Sequence, residues 1–401
     1  MTTEKPAETY SPLYFLASLG AGGLAVTFFM YLMFWVPHPG QPVPVFEDLQ
    51  TVFATGSVAL KSAALLAMIG IAVFAFLNVR SLLWNLSALS RFRRSPSYQA
   101  LRSSNAETTL LAAPLASAMT INAMFIVGLV FVPGLWGLVE YLFPLALVAF
   151  LGLGIWAFRL IGDFLGRVLT EGGVFDMTAH NSFAQLLPAF ALSMVGVGLA
   201  APAAMSTNSL TVGASLILST FFGIAAITYT VVASVTAFSS MLRFGTAREA
   251  GPTLMVIVPI LTVLGILFLR QNHGLHAAFD THGTAAETMV FLARLLTVQI
   301  LFLMLGLLVL RRQHYFRDFV FGSKLSPGSY ALVCPGVALS VMLHFFTNKG
   351  LVGAGLIEKF GPAYWSVTAI ALLFQVSMIA LVLRLNRQHF RRPAETLVPA
   401  Q

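Results

Sequence analysis

The segment Leu332-Val-Cys-Pro-Gly-Val-Ala-Leu-Ser340 sets Pro335 beside Gly336 in the middle of an apolar run long enough to cross a bilayer. Proline removes a backbone donor, and its ring crowds the carbonyl one turn back. In hydrocarbon no water repairs that loss, so a broken backbone at membrane depth is tolerated only where protein or a water-filled cavity surrounds it. The fold depends on whether this run is a membrane span and whether its proline has counterparts.

Composition answers the first question. Of 401 residues, 58% are hydrophobic and 9% charged, against about 25% charged in an average soluble domain. Runs of about 20 apolar residues, the length a spanning helix needs, occur near 11–36, 52–80, 110–132, 137–162, 181–203, 211–240, 252–270, 286–311, 327–346 and 361–385. This predicts an all-α integral membrane protein with ten transmembrane helices. One membrane domain covers 11–385, between a polar segment at 1–10 and a basic tail at 386–401. The first run is too long for a signal-peptide core and reads as a retained span. With ten spans both termini share a side, and that side holds 18 of the 23 lysines and arginines, leaving Lys61, Arg270, Arg294, Lys349 and Lys359 for the other. The positive-inside rule puts both termini in the cytoplasm. The net charge of +8 is thus a topology signal. Basic residues dispersed over short loops without interleaved aromatics argue against nucleic acid.

The proline does have counterparts. Pro114, Pro188, Pro259 and Pro335 lie in the third, fifth, seventh and ninth runs at intervals of 74, 71 and 76 residues. Three positions beyond each stands Ser117, Ala191, Thr262 or Ala338, on the same helical face. The first run lacks the proline but carries Gly20-Ala-Gly-Gly23, where Gly20 and Gly22 remove bulk and permit a bend. The even runs end instead in arginine-bearing stretches. The expectation is five helical hairpins in a quasi-five-fold arrangement, with kinked odd helices lining a central pathway and even helices outside. A lone proline is often a mere packing kink, but interrupted spans in corresponding repeats point to a transport site.

The stretches Tyr14–Val26 (YFLASLGAGGLAV), Gly251–Ile260 (GPTLMVIVPI) and Ser326–Leu339 (SPGSYALVCPGVAL), set in this ten-helix pattern, resemble the tellurite-resistance/dicarboxylate transporter family. That family contains the bacterial TehA proteins, the slow-type anion channels of guard cells, and fungal malate and sulfite transporters. The resemblance spans roughly Ser11 to Leu385. It implies a homotrimer with one anion pathway through the inner helices of each subunit. It also implies a phenylalanine plug just before the ninth-helix proline, and here the chain departs, because Cys334 holds that position. Either the pathway is less occluded, with Cys334 facing it, or another bulky residue closes it. Phe190, two residues after Pro188, is the nearest substitute by position, against the plainer reading that it packs between helices.

Between their ends the odd helices hold few ionisable groups, chiefly His344 and Glu107. Polar lining is therefore assigned to Ser117, Thr120, Asn122, Ser193, Thr262 and Ser340, whose donors favour an anion without trapping it. Each hydroxyl has the competing option of bonding its own backbone. Gln271–Gly283 (QNHGLHAAFDTHG) packs His273, His276, Asp280 and His282 into an expected outer loop. Imidazole and carboxylate are suitable metal ligands, but the spacing matches no metal signature, and the simpler reading is a solvated loop without metal. The single cysteine excludes disulfides and cysteine clusters. A haem oxidoreductase needs histidines facing one another within the helices, and no nucleophile–base set, phosphate loop or dinucleotide fingerprint is present. The expectation is therefore a non-enzyme without cofactor: an anion channel or uniporter for chloride, nitrate, sulfur oxyanions, tellurite or dicarboxylates. A proton-coupled carrier is the alternative, with His344 its one intramembrane titratable candidate. Compact loops suit a bacterial inner-membrane protein.

Overall fold

The computed structural model describes residues 10–171, 175–176, 181–279 and 283–390. Ten helices are long and apolar enough to cross a membrane: α1 (Pro12–Trp35), α2 (Val58–Phe92), α3 (Asn105–Phe131), α4 (Leu135–Thr170), α5 (Phe183–Met205), α6 (Ser209–Phe244), α7 (Arg248–His276), α8 (Ala285–Arg312), α9 (Pro327–Val352) and α10 (Pro362–Phe390). No strand occurs among the described residues. The chain is an integral membrane protein. Its last helix runs through Phe390 instead of ending at Leu385, so the first residues assigned to the tail are helical.

Odd and even spans bury different shares of their surface. The most apolar windows of α1, α3, α5, α7 and α9 are 89, 61, 94, 78 and 83% buried, whereas those of the even spans are 22–39% buried. Each odd span packs against the next, and α9 returns to α1. The even spans expose large apolar side chains such as Leu65, Val148, Phe221, Met304 and Leu373. Such surface is stable against acyl chains and costly in water.

Every odd span opens with a 3₁₀ segment before its α-helix: Pro12–Tyr14, Asn105–Leu111, Phe183–Leu186, Arg248–Met255 and Pro327–Leu332. Ser11, Ser104 and Ser182 begin three of them by accepting a hydrogen bond from the N–H two residues on. Pro114, Pro188, Pro259 and Pro335 follow in the first α-helical turn. The sequence reading of a bend in mid-helix is thus corrected to a change of helix type at the helix start. The reason is local. Proline lacks the N–H that would claim the carbonyl four residues back, and in α5 that carbonyl, on Ala184, accepts from Leu187 N–H instead.

Gly20 and Gly22 do not interrupt α1, whose α-helix is continuous over Phe15–Trp35. They make close contacts. A Cβ on Gly20 would stand 2.9 Å from Val333 Cγ1 of α9, one on Gly23 2.8 Å from Val337 Cγ1, and one on Gly22 2.8 Å from both Asn78 Nδ2 and Met119 Cγ. Polar pairs join neighbouring spans where no water competes. Asn78 Nδ2 donates to Ser18 O at 2.8 Å, Gln299 Nε2 to Thr262 Oγ1 at 2.6 Å, and Tyr330 OH to Asn386 Oδ1 at 2.9 Å. The odd spans begin at one face of the bundle, the N-face, and end at the other, the C-face. At the N-face, Glu107 is 2.6 Å from Arg167 Nη2 and 3.1 Å from Arg102 Nε.

Candidate functional site

A cavity of about 810 Å³ lies among the odd spans. Its inner end is formed by Leu19, Gly20, Met119, Phe190, Pro259 and Cys334. On α7 its lining runs from Pro259 to His276, roughly 25 Å at 1.5 Å per residue, most of the thickness of a hydrocarbon core. At the C-face it reaches His38, Gln41 and Gly283 in the connections. None of the 3₁₀ residues lines it. Between its inner end and the N-face stand Leu111, Leu186, Leu254 and Leu332, all buried.

The candidate residues divide around this space. Gly20, Phe190, Pro259, Thr262 and Cys334 line the cavity, whereas Gly22, Pro114, Ser117, Pro188, Pro335 and Ser340 do not. Phe190 is 2% exposed and Cys334 8%, its thiol free, so the bulky ring and the cysteine stand at the same closed end. The hydroxyls of Ser117 and Thr120 bond the carbonyls of Ala113 and Ala116 in their own helix, and that of Ser193 bonds Phe190 O. Thr262 Oγ1 donates to Ala338 O at 3.2 Å while accepting from Gln299, which ties α7, α8 and α9 together. Asn122 lines the cavity with its amide bonded to Ala118 O at 3.1 Å. Ser340 is fully buried, and its hydroxyl has no hydrogen-bond partner.

Charge reaches the cavity by another route. Arg270, Lys349, His38, His273 and His276 all line it, and no aspartate or glutamate does among the described residues. The sequence reading assigned the lining to hydroxyl and amide groups alone, whereas these basic side chains share it. Arg270 was assigned only to the outer side, yet it lies 11 residues after Pro259. At 100° per residue that is about 20° beyond three full turns, the same face of α7. Pro259, Thr262, Val263, Ile266, Arg270 and His273 form one stripe into the cavity, a periodicity that the sequence did contain. Arg270 Nη1 donates to Val197 O of α5 at 2.7 Å. Lys349 lies in the π-helix Phe346–Val352 that ends α9.

The expected outer histidine loop is also corrected. The α-helix of α7 continues through Phe279, so His273 and His276 are helical. Asp280 and His282 lie outside the described residues. Among the described residues no three His, Cys, Asp or Glu side chains are placed to hold a metal. His344 is 1% exposed, set among Tyr31, Phe34 and Trp35 with both ring nitrogens unpartnered, and does not line the cavity. Comparison of the chain with models of known families, with curated proteins and with solved structures found no match.

Proposed function

We propose that the chain is a membrane anion channel or uniporter whose pathway runs through this cavity. One observation carries the reading: the described cavity lining contains Arg270, Lys349 and three histidines but no aspartate or glutamate. Low-dielectric walls focus that charge and raise the local concentration of anions. The inner half, from Leu19 and Asn122 to Phe190 and Cys334, holds no histidine or carboxylate, and proton-coupled carriers place titratable groups in the pathway. The cavity's histidines, His38, His273 and His276, stand towards its C-face mouth and not at the inner end, so passive conduction is favoured over proton coupling, and no enzymatic chemistry is assigned.

The five buried odd spans, their matching 3₁₀ starts and the closed inner end accord with the quasi-five-fold hairpin plan of the tellurite-resistance/dicarboxylate transporter family. On that plan the protein is a homotrimer in a bacterial inner membrane. Its N-face, with both termini, is cytoplasmic, and the cavity opens outward. Phe190 and Cys334 stand at the gate. Purified protein in liposomes tests the reading by electrical recording with chloride, nitrate, sulfite, tellurite and a dicarboxylate. Currents that reverse near the anion equilibrium potential without a pH gradient are the expected result. Absence of anion flux refutes the reading, and flux that requires a proton gradient transfers it to the carrier.

A further inference from the structure

We infer that Arg270 is the residue on which the transported anion rests and by which oxyanions are distinguished from spherical halides; this deepens the anion-pathway reading and rests on it. Arg270 stands about 16 Å along α7 from Pro259 and about 9 Å short of His276, well within the cavity they both line. A guanidinium has five N–H donors in a planar fork. One donor is held by Val197 O, a carbonyl in the last turn of the Leu187–Leu199 helix. Such carbonyls lack a full set of partners within the helix and carry its partial negative charge. That contact fixes the side chain against α5 without neutralising it. Among the described residues no carboxylate lies within ion-pair distance of Arg270.

A cation at membrane depth is costly unless paired, and such groups mark ion pathways. Of the other titratable groups lining the cavity, His38, His273, His276 and Lys349 are basic and Cys334 is a buried free thiol at the inner end, so among the described residues no carboxylate of the lining supplies the counter-charge. A passing anion supplies it. Remaining N–H groups of a tethered fork match two oxygens of a nitrate or carboxylate at once, whereas a halide offers a single centre. The Val197 tether leaves the fork ready before the anion arrives, which lowers the ordering cost of binding.

The test measures reconstituted flux of nitrate, formate and chloride. Arg270→Lys keeps the charge and removes the fork, and is expected to lower the nitrate-to-chloride and formate-to-chloride ratios about tenfold, the value of one charge-assisted hydrogen bond. Arg270→Gln keeps a donor for Val197 and removes the charge, and is expected to lower the flux of every anion at least as much. Unchanged ratios in the lysine variant, or unchanged flux in the glutamine variant, overturn the inference while leaving the anion-pathway reading intact. A parent protein that passes none of the three anions sinks both. Should the variants fail to fold, thermal unfolding of the parent decides: nitrate and formate should stabilise it more than chloride at equal ionic strength, and equal shifts refute the assignment.

Discussion

Gly23→Ala tests whether the glycine-rich stretch of α1 serves close packing, as the structure indicates, or flexibility. The new Cβ would lie 2.8 Å from Val337 Cγ1, short of a comfortable carbon–carbon separation of about 3.5–4.0 Å by roughly 0.7–1.2 Å. Valine in a helix is held to essentially one χ1 rotamer, so Val337 cannot swing aside and α9 must move. Overpacking of this kind costs about 1–3 kcal/mol. Replacing glycine by alanine within a helix returns about 0.5–1 kcal/mol, leaving a net loss of roughly 0.5–2 kcal/mol. Gly152→Ala on α4 is the control, because nothing lies within 4 Å of its Cβ, and it should be neutral or stabilising. Adding Val337→Ala to Gly23→Ala removes the opposing methyl, so the double-mutant cycle should show a favourable coupling above about 0.5 kcal/mol. Thermal unfolding of detergent-purified variants reads all four. A Gly23→Ala protein as stable as Gly152→Ala, with no coupling to Val337, refutes the close-contact account and returns the stretch to a flexible role.

Other perturbations probe the gate and the N-face. Cys334→Phe should reduce anion flux without loss of folding. A thiosulfonate added at the C-face should modify this sole cysteine and block flux, more slowly when anion is present; an unreactive thiol together with normal flux in the variant shows that residue 334 faces away from the pathway. Glu107→Gln leaves Arg167 and Arg102, whose side chains are 18 and 33% exposed, without their carboxylate. Breaking a buried pair costs about 3–5 kcal/mol, and partial solvation of both arginines reduces that to roughly 1–3 kcal/mol, readable as a lowered unfolding temperature; Arg102→Ala should cost less, because Arg167 remains paired. Asp318, hydrogen-bonded by Arg317 and Arg248, has its carboxyl pulled down to about 2. Its folded pKa lies below the usual value near 4, so its contribution is complete above pH 4 and is lost as pH falls through 2. Asp318→Asn should therefore lower thermal stability at pH 7, with the difference closing over that acid window and no change between pH 5 and 8.

Ten spans, and the division of odd from even, were legible because both are local properties. A run of apolar side chains of bilayer length declares itself without its neighbours, and a proline states where the i→i−4 ladder fails. The regular intervals from Pro114 to Pro335 carried the division, and the buried shares of the spans agree with it. Which face of a helix meets which partner is not local. The glycines of α1 read as places where missing bulk permits a bend, since sequence records the missing bulk but not that Val333 and Val337 occupy the space. The hydroxyls of Ser117 and Thr120 had two options in the sequence, lining or a bond to their own helix, and only the folded structure shows that the carbonyls of Ala113 and Ala116 claim them. Arg270 was legible in principle through its 11-residue distance from Pro259, but positional reasoning assigned it to the outer side with Lys349. Composition and periodicity by themselves determined that this is an all-helical membrane protein with inner and outer spans. The tertiary packing decided that the C-face part of the cavity is basic, because only a folded bundle can bring Arg270, His273 and His276 of α7 together with Lys349 of α9 and His38 of the α1–α2 connection around one space.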